Sequence, residues 1–138
     1  MIHLKKIKAV ILAAGKGTRM KSDLHKVLHK VYDRSIIDYV CNACEDADAS
    51  EIYIITGYKA EQVEAHIREK RQNVKFCLQK EQLGTGHAVM QAEKYIDDDD
   101  LVVVINGDQP LISSQTIKSL VTFCDQGNYG GAVLSGIV

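Results

Sequence analysis

The chain has 138 residues, of which 25% are charged, and a formal net charge of −1 at pH 7. That length fits one globular domain over residues 1–138, and the near-zero charge leaves no basic footprint for nucleic acid or for an anionic membrane surface. No apolar run approaches the ~20 residues of a membrane span, and no secretory signal pattern opens the chain, so we expect a cytoplasmic protein.

In chain order, apolar patterning predicts strands and helices that alternate. Buried or β-branched runs predict strands at residues 7–13, 51–56, 74–79, 101–105 and 130–138, of which 101–105 is expected to be fully buried. Helical spacing predicts a helix that starts at Ser35, with a capping-box pattern to Asp38, and further helices at 60–70, 86–95 and 114–126. This order is typical of an α/β fold with a Rossmann-like, mostly parallel sheet and helices on both faces.

The cysteines carry no recognisable disulfide pattern. Cys41 and Cys44 have the C-x-x-C spacing, but a structural zinc site needs a second pair with similar spacing. Cys77 and Cys124 are isolated in sequence. We therefore expect small buried side chains in a reducing compartment and no metal or redox site at this pair.

A glycine-rich turn follows the first predicted strand directly. Gly15 and Gly17 allow the backbone to approach a ligand closely, and cationic side chains surround the turn. The turn matches neither standard phosphate motif: Met20 stands at the third glycine position of a dinucleotide fold, and Thr18 follows Gly17 where a P-loop has lysine. Its combination of backbone N–H groups and positive charge nevertheless suits a nucleoside triphosphate.

Three polar loops follow predicted strands, at residues 14–26, 79–85 and 106–110. In open α/β sheets, ligands bind outside the carboxyl ends of the strands, so we expect the three loops to gather at one edge. Asp108 is placed there to hold Mg²⁺, which takes one or two carboxylates and completes its shell with water and phosphate oxygens.

The middle loop carries neutral hydrogen-bonding groups. Gln79, Gln82 and the backbone of Gly84 and Thr85 offer both donors and acceptors, which suit the edge of a nucleotide base. Gln82 also has a simpler interpretation, as an amide that stabilises its own loop.

Four motifs occur in the order found in sugar-nucleotide pyrophosphorylases. They are L-A-A-G-K-G-T-R-M (12–20), K-V-L (26–28), Q-L-G-T-G-H-A (82–88) and G-D-x-P-L (107–111). The Q-L-G-T-G-H-A segment resembles most specifically the N-acetylglucosamine-1-phosphate uridylyltransferases, and the resemblance extends over about residues 7–137. It implies a nucleotide-diphospho-sugar transferase fold and in-line attack by N-acetylglucosamine 1-phosphate on the α-phosphorus of UTP, which yields the cell-wall precursor UDP-N-acetylglucosamine and pyrophosphate.

The resemblance also implies roles for individual residues. Arg19 and Lys26 would hold the triphosphate and stabilise charge during transfer, and Asp108 would be a Mg²⁺ ligand. Gln79, Gly84 and Thr85 match uracil-reading positions. With the glycine turn and the loop amide, the nucleotide-binding set is Leu12, Ala13, Ala14, Gly15, Gly17, Lys26, Gln79, Gln82, Gly84, Thr85, Asn106, Gly107 and Asp108.

The chain departs from the family's pattern at several positions. His25 stands where the family usually has proline, and we expect it to leave the chain before Lys26 less constrained. Asn106 replaces a frequent tyrosine, and Gln109 a small apolar residue. The family's acceptor-sugar half and C-terminal β-helix have no counterpart in these residues, so we expect a truncated domain with weak UTP binding and poor turnover.

Alternatives remain open at this point. One is another sugar or cofactor nucleotidyltransferase that uses CTP or GTP, and a second is a nucleotide-binding fragment without catalysis. A nicotinamide-dependent oxidoreductase is disfavoured because Met20 replaces the third glycine. If the domain is truncated, open strand edges favour self-association into a homo-oligomer.

Overall fold

The computed structural model describes residues 5–17 and 21–135. The strands are β1 Ile7–Ala13, β2 Lys30–Val31, β3 Arg34–Ser35, β4 Glu51–Thr56, β5 Val74–Leu78 and β6 Leu101–Asn106. The α-helices are α1 Ile36–Asp46, α2 Ala60–Lys70, α3 Thr85–Met90 and α4 Ser114–Gln126, and short 3-10 helices span Lys26–Leu28 and Glu93–Tyr95. None of the helices in these two ranges is both long and apolar enough to cross a membrane.

Four strands form one parallel sheet in the order β5-β4-β1-β6. In the register of this sheet, Ile11 of β1 lies opposite Ile54 of β4 and Ile105 of β6. After β5, the chain crosses back over the sheet, and β6 pairs with the edge of β1 opposite β4. The predicted α/β fold with a parallel sheet is confirmed.

Each face of the sheet packs against its own layer. On one face, apolar residues of β1, β4 and β6 contact α1, α2 and α4, with Ile37, Val40, Val63 and Ile67 fully buried. On the other face, Val10, Tyr53 and Ile55 pack against α3 and the chain that follows it. Helices therefore cover both faces, as predicted, but the second layer covers less of the sheet.

Helix α1 begins at the predicted cap and is joined to α2 by a buried carboxylate. The Ser35 side chain accepts a hydrogen bond from the Asp38 N–H (3.2 Å) and donates one to the Asp38 carboxylate (2.7 Å). That carboxylate, with 2% of its side chain exposed, also binds Lys70 (2.9 Å) and Arg71 (2.7 Å) from the end of α2. His66 contacts it as well, at 2.8 Å.

The predicted strand at 130–138 is wrong over its described part. Residues 130–135 form no strand, and 136–138 lie outside the described residues. Apolar composition favours a strand, but a strand needs a partner with which to exchange hydrogen bonds, and this segment pairs with none of the described strands.

Two further expectations are corrected. The predicted helix at 86–95 ends at Met90, because Tyr95 stacks on Tyr53 (ring centroids 5.2 Å apart) and its carbonyl accepts a hydrogen bond from the buried Lys8 (2.6 Å). The strand expected to be fully buried, β6, has one exposed face: Val102 and Val104 point to the side that the second layer leaves uncovered.

The hairpin of β2 and β3 was not predicted. Lys30 pairs with Ser35 and Val31 with Arg34, around a turn in which Tyr32 adopts φ 60°. A two-residue turn with positive φ at its first central residue alone usually has glycine there, and Tyr32 gives no such signal.

Candidate functional site

The strand order creates a crevice between the carboxyl ends of β1 and β6. The chain runs outward from β1 to β4 and β5 and then reverses to β6, so the loops after β1 and β6 leave the sheet on either side of this point. Such a reversal is where open α/β sheets bind ligands. The described parts of the loops at 14–26 and 106–110 meet there through the contact of Lys26 with Asp108, as the sequence predicted.

Lys26 and Asp108 face each other across this crevice. The Lys26 Nζ lies 3.3 Å from the Asp108 Oδ2, with side-chain exposures of 29% and 47%. Lys26 opens a 3-10 helix in the loop after β1, and Asp108 follows β6 by two residues. The pair is open to solvent, so an incoming phosphate can compete for the lysine and an incoming cation for the carboxylate.

The glycine turn packs against the stem of Lys26. Gly17 adopts φ +60°, and a Cβ there would lie 2.9 Å from the Lys26 Cδ. A Cβ on Gly15 would lie 3.8 Å from the Lys26 Nζ. The turn therefore needs glycine at position 17 for both conformation and space, and its backbone lies beside the ammonium group.

Gly107 holds the β6 loop close to the end of β1. Its N–H donates to the Leu12 carbonyl at 2.8 Å, and a Cβ on this residue would lie 2.9 Å from the same oxygen. Asn106 lies opposite Leu12 in the sheet register. This contact places Asp108 at the crevice.

The middle loop joins the site through Gln82. The Gln82 Nε2 donates to the Ala14 carbonyl at 2.9 Å, which fastens this loop to the glycine turn. The Tyr58 N–H donates to the same carbonyl at 3.1 Å, so the loop after β4 is fastened there too. Gln82 thus makes a stabilising contact within the predicted site.

Gln79 lies beneath this loop and not on its surface. It is 3% exposed, and its Nε2 donates to the Gly84 carbonyl (3.2 Å) and lies 3.0 Å from the His87 Nδ1. Gly84, at φ +106°, and Thr85 are exposed above it. Gln79 is therefore held by contacts within its own loop and with α3, whereas Gly84 and Thr85 are exposed to solvent.

The remaining predicted residues divide into two groups. Leu12, Ala13 and Ala14 lie at or just after the end of β1, where the Leu12 and Ala14 carbonyls already accept hydrogen bonds from the neighbouring loops. Arg19 lies outside the described residues.

Sequence analysis did not identify the residues that hold the backbone directly before Lys26. The His25 N–H donates to the Gln62 Oε1 (3.0 Å), and the Gln62 Nε2 donates to the Asp23 carbonyl (3.1 Å). Gln62 lies on the first turn of a polar surface helix, where no pattern distinguishes it from a solvated side chain.

The described residues contain no group of three or more His, Cys, Asp or Glu side chains that could hold a metal by themselves. Asp108 alone fits a different kind of site, in which one carboxylate shares Mg²⁺ with phosphate oxygens and water. Its exposure and its ion pair with a displaceable lysine are consistent with that donor set.

The parallel sheet, the glycine turn at a strand end and the lysine–carboxylate pair define an α/β domain built to bind phosphates. Residues 9–136 match the model of the MobA-like NTP transferase domain, and the chain belongs to that family.

A curated relative matches most of the length of this chain. Over 130 residues, the chain is 46% identical to the bifunctional protein GlmU of Alkaliphilus metalliredigens. The aligned region covers 94% of this chain and 28% of the relative. The chain therefore spans about a quarter of the length of that relative.

Solved structures support the same fold. A nucleotidyl transferase from Methanothermobacter thermautotroptrophicus superimposes with a TM-score of 0.74 at 23% identity, over 84% of this chain and 56% of that one. HddC from Yersinia pseudotuberculosis, solved with GMP-PN, superimposes with a TM-score of 0.65 at 31% identity, over 73% of this chain and 47% of the other.

Proposed function

We propose that this chain is the nucleotide-binding part of a uridylyltransferase that uses UTP and N-acetylglucosamine 1-phosphate. In this reaction an oxygen of the sugar phosphate attacks the α-phosphorus of UTP in line with the leaving group. The bond from the α-phosphorus to the bridging oxygen breaks, and pyrophosphate leaves. UDP-N-acetylglucosamine is the other product.

The observation that carries the proposal is the meeting of three sequence-distant loops around the Lys26–Asp108 pair. The glycine turn, the Gln82–Thr85 segment and the Asn106–Asp108 segment lie at one end of the sheet. Nucleotidyl transfer asks for positioning and for neutralisation of negative charge, and it needs no covalent intermediate. A site with a cation, a carboxylate and backbone donors suits that task.

Each part of the site has a place in this reaction. Lys26 would bind the triphosphate oxygens and offset the charge that develops as pyrophosphate leaves. Asp108 would hold Mg²⁺ together with the phosphates, and the bound ion would supply further charge neutralisation. The exposed backbone around Gly84 and Thr85 would read the pyrimidine edge.

The matching family and relative support nucleotidyl transfer, whereas the choice of UTP rests on the resemblance of the Q-L-G-T-G-H-A segment to the uridylyltransferases. The Q-L-G-T-G-H-A segment that first indicated this specificity forms the exposed loop above Gln79 and the start of α3. Transfer from CTP or GTP is the competing outcome of the test.

Calorimetric titration with UTP, CTP, GTP and ATP in the presence of Mg²⁺ tests the proposal. We expect UTP to bind most tightly, and we expect Asp108→Asn and Lys26→Ala each to weaken it about tenfold or more. Pyrophosphate release with N-acetylglucosamine 1-phosphate tests the transfer itself.

The ion pair of Lys118 with Asp48 supplies matched controls. Its N–O distance is 3.2 Å, close to that of Lys26 with Asp108, and it lies away from the crevice. Lys118→Ala and Asp48→Asn should leave UTP affinity unchanged. Equal binding of all four nucleotides, or equal losses in the site and control variants, would contradict the proposal.

A further inference from the structure

His25 is a buried histidine that directly follows four exposed residues, 21–24. It is 1% exposed, and it directly precedes Lys26. Its Nδ1 accepts a hydrogen bond from the Val27 N–H at 3.2 Å, and its carbonyl accepts one from the Leu28 N–H at 2.9 Å. The residue therefore caps the short helix that carries Lys26 with both its side chain and its backbone.

The backbone of His25 is in turn held by α2. Its N–H donates to the Gln62 Oε1 at 3.0 Å, and the other end of the same amide, the Gln62 Nε2, donates to the Asp23 carbonyl. Lys59, at the start of α2, also donates to the Asp23 carbonyl. These contacts connect the loop that carries Lys26 to a helix packed on the sheet.

The geometry fixes the tautomer of the ring. Because Nδ1 accepts a hydrogen bond from a backbone N–H, it has a free lone pair, and the proton of the neutral ring is on Nε2. Nε2 is buried and makes no hydrogen bond to any of the described residues. The Gly15 backbone is close enough to the ring to raise the pKa of His25, so the ring lies beside the glycine turn.

We propose that His25 is a positioning residue for the nucleotide site: with its proton on Nε2, it fixes the helix that carries Lys26 beside the glycine turn. Its φ of −56° is the value that proline would impose, but the residue reaches it with an N–H, an acceptor and a donor that proline lacks. Two hydrogen bonds thus constrain the chain at His25 in place of the proline ring. The proposal rests on the proposed function, since it concerns how Lys26 is held for the triphosphate.

The proposal implies that acid releases Lys26. Protonation of Nδ1 removes the acceptor for the Val27 N–H and places a positive charge beside Lys26. Burial lowers the pKa of His25, and the charges of Lys26 and Lys59 lower it further, whereas the Gly15 backbone acts in the opposite direction. The other neighbours are the Tyr58 ring, with its centroid 6.2 Å away, and the neutral Gln62.

Three variants test the role in solution. His25→Leu keeps much of the volume and removes the acceptor, whereas His25→Asn keeps an acceptor that can cap the helix. His29→Asn is the control, since His29 lies at the other end of the same short helix and its Nε2 also makes no hydrogen bond to the described residues. We expect His25→Leu to weaken Mg²⁺–UTP binding about three- to tenfold, and His25→Asn and His29→Asn to change it less than about twofold.

A double-mutant cycle with Lys26→Ala separates positioning from general destabilisation. If His25 acts through Lys26, His25→Leu has no further effect on UTP affinity once Lys26 is alanine. Equal losses in both backgrounds would overturn the proposal. A loss of UTP affinity in His25→Asn as large as that expected for His25→Leu would also overturn the proposal. This variant tests the proposal even if His25→Leu does not fold.

Nuclear magnetic resonance supplies a readout that does not depend on nucleotide binding. We expect the His25 proton on Nε2 in the unmodified chain, and faster hydrogen exchange of the Val27 amide with shifted Gly15 and Gly17 resonances in His25→Leu. If the unmodified chain binds no nucleotide, the proposed function fails, and these signals still decide whether His25 holds the Lys26 helix. A proton on Nδ1, or unchanged exchange at Val27, would overturn the positioning role.

Discussion

Replacement of Gly107 by alanine should break the contact that joins the two sides of the crevice. A Cβ at this position would lie 2.9 Å from the Leu12 carbonyl oxygen, 3.4 Å from the Val27 Cγ1 and 3.5 Å from the Ala13 Cβ. The nearest atom belongs to the backbone of the central strand, so it cannot swing away. That carbonyl also accepts the Gly107 N–H, so relief of the clash must stretch this 2.8 Å hydrogen bond.

The expected magnitude follows from two opposing effects. Overpacking of this kind costs about 1–3 kcal/mol, and the lower chain entropy of unfolded alanine returns about 0.4–1 kcal/mol. We expect Gly107→Ala to reduce the free energy of unfolding by about 1–2 kcal/mol in urea titrations, and to weaken UTP binding because Asp108 moves with the loop.

Gly86 provides the matched control for this substitution. It lies in α3, and a Cβ there meets no atom within 4 Å. Gly86→Ala should raise stability by about 0.5–1 kcal/mol, because glycine is a poor helix former. Equal unfolding free energies for Gly107→Ala and Gly86→Ala would refute the packing argument.

Three further predictions concern the site, the core and the thiols. Gly17→Ala should lower stability by about 1 kcal/mol and weaken UTP binding, because φ +60° disfavours alanine and its Cβ would displace the Lys26 stem; calorimetry measures both. Asp38→Asn should cost about 1.5–3 kcal/mol near pH 7, since it removes the buried negative charge that Arg71, Lys70 and His66 share, although Arg71 keeps its ion pair with Glu45. Burial alone would raise the pKa of Asp38, but hydrogen bonds from Ser35, Lys70, His66 and Arg71 hold it well below its usual value. The stabilisation is thus present above the unfolded pKa near 3.9 and lost as pH falls below it, so unfolding curves of the two proteins should converge in acid. Burial raises the pKa of Cys41 and of Cys44 to about 12, so at pH 8 a thiol reagent should modify Cys124 first and this pair only after unfolding.

Local patterns were sufficient for elements whose ends carry their own signals. The strand at 51–56 is a β-branched run closed by Gly57, and the helix at 114–126 has a serine cap and a following glycine. Both have the predicted bounds, as does α2. The capping box from Ser35 to Asp38 also forms where it was predicted.

Features that depend on distant partners could not be predicted in this way. The Asp38 carboxylate binds His66, Lys70 and Arg71, which lie 28 to 33 positions away in the chain. Gln79 carries the chemistry of a base reader, yet its contacts with Gly84 and His87 place it beneath the loop. In each case the residue type is compatible with several sets of partners, and the observed contacts depend on residues that the local pattern does not specify.

The end of β1 connects the loops of the candidate site, and this connection has a mechanical consequence. The Leu12 carbonyl binds the Gly107 N–H, and the Ala14 carbonyl binds both the Tyr58 N–H and the Gln82 Nε2. Three loops are therefore fastened to two carbonyls that lie two residues apart, directly before Gly15. We expect a nucleotide that shifts the glycine turn to shift both carbonyls, and with them the loop above Gln79 and Asp108. We therefore propose that phosphate binding and base reading are coupled through this strand end, because the same two backbone groups anchor the residues proposed for each.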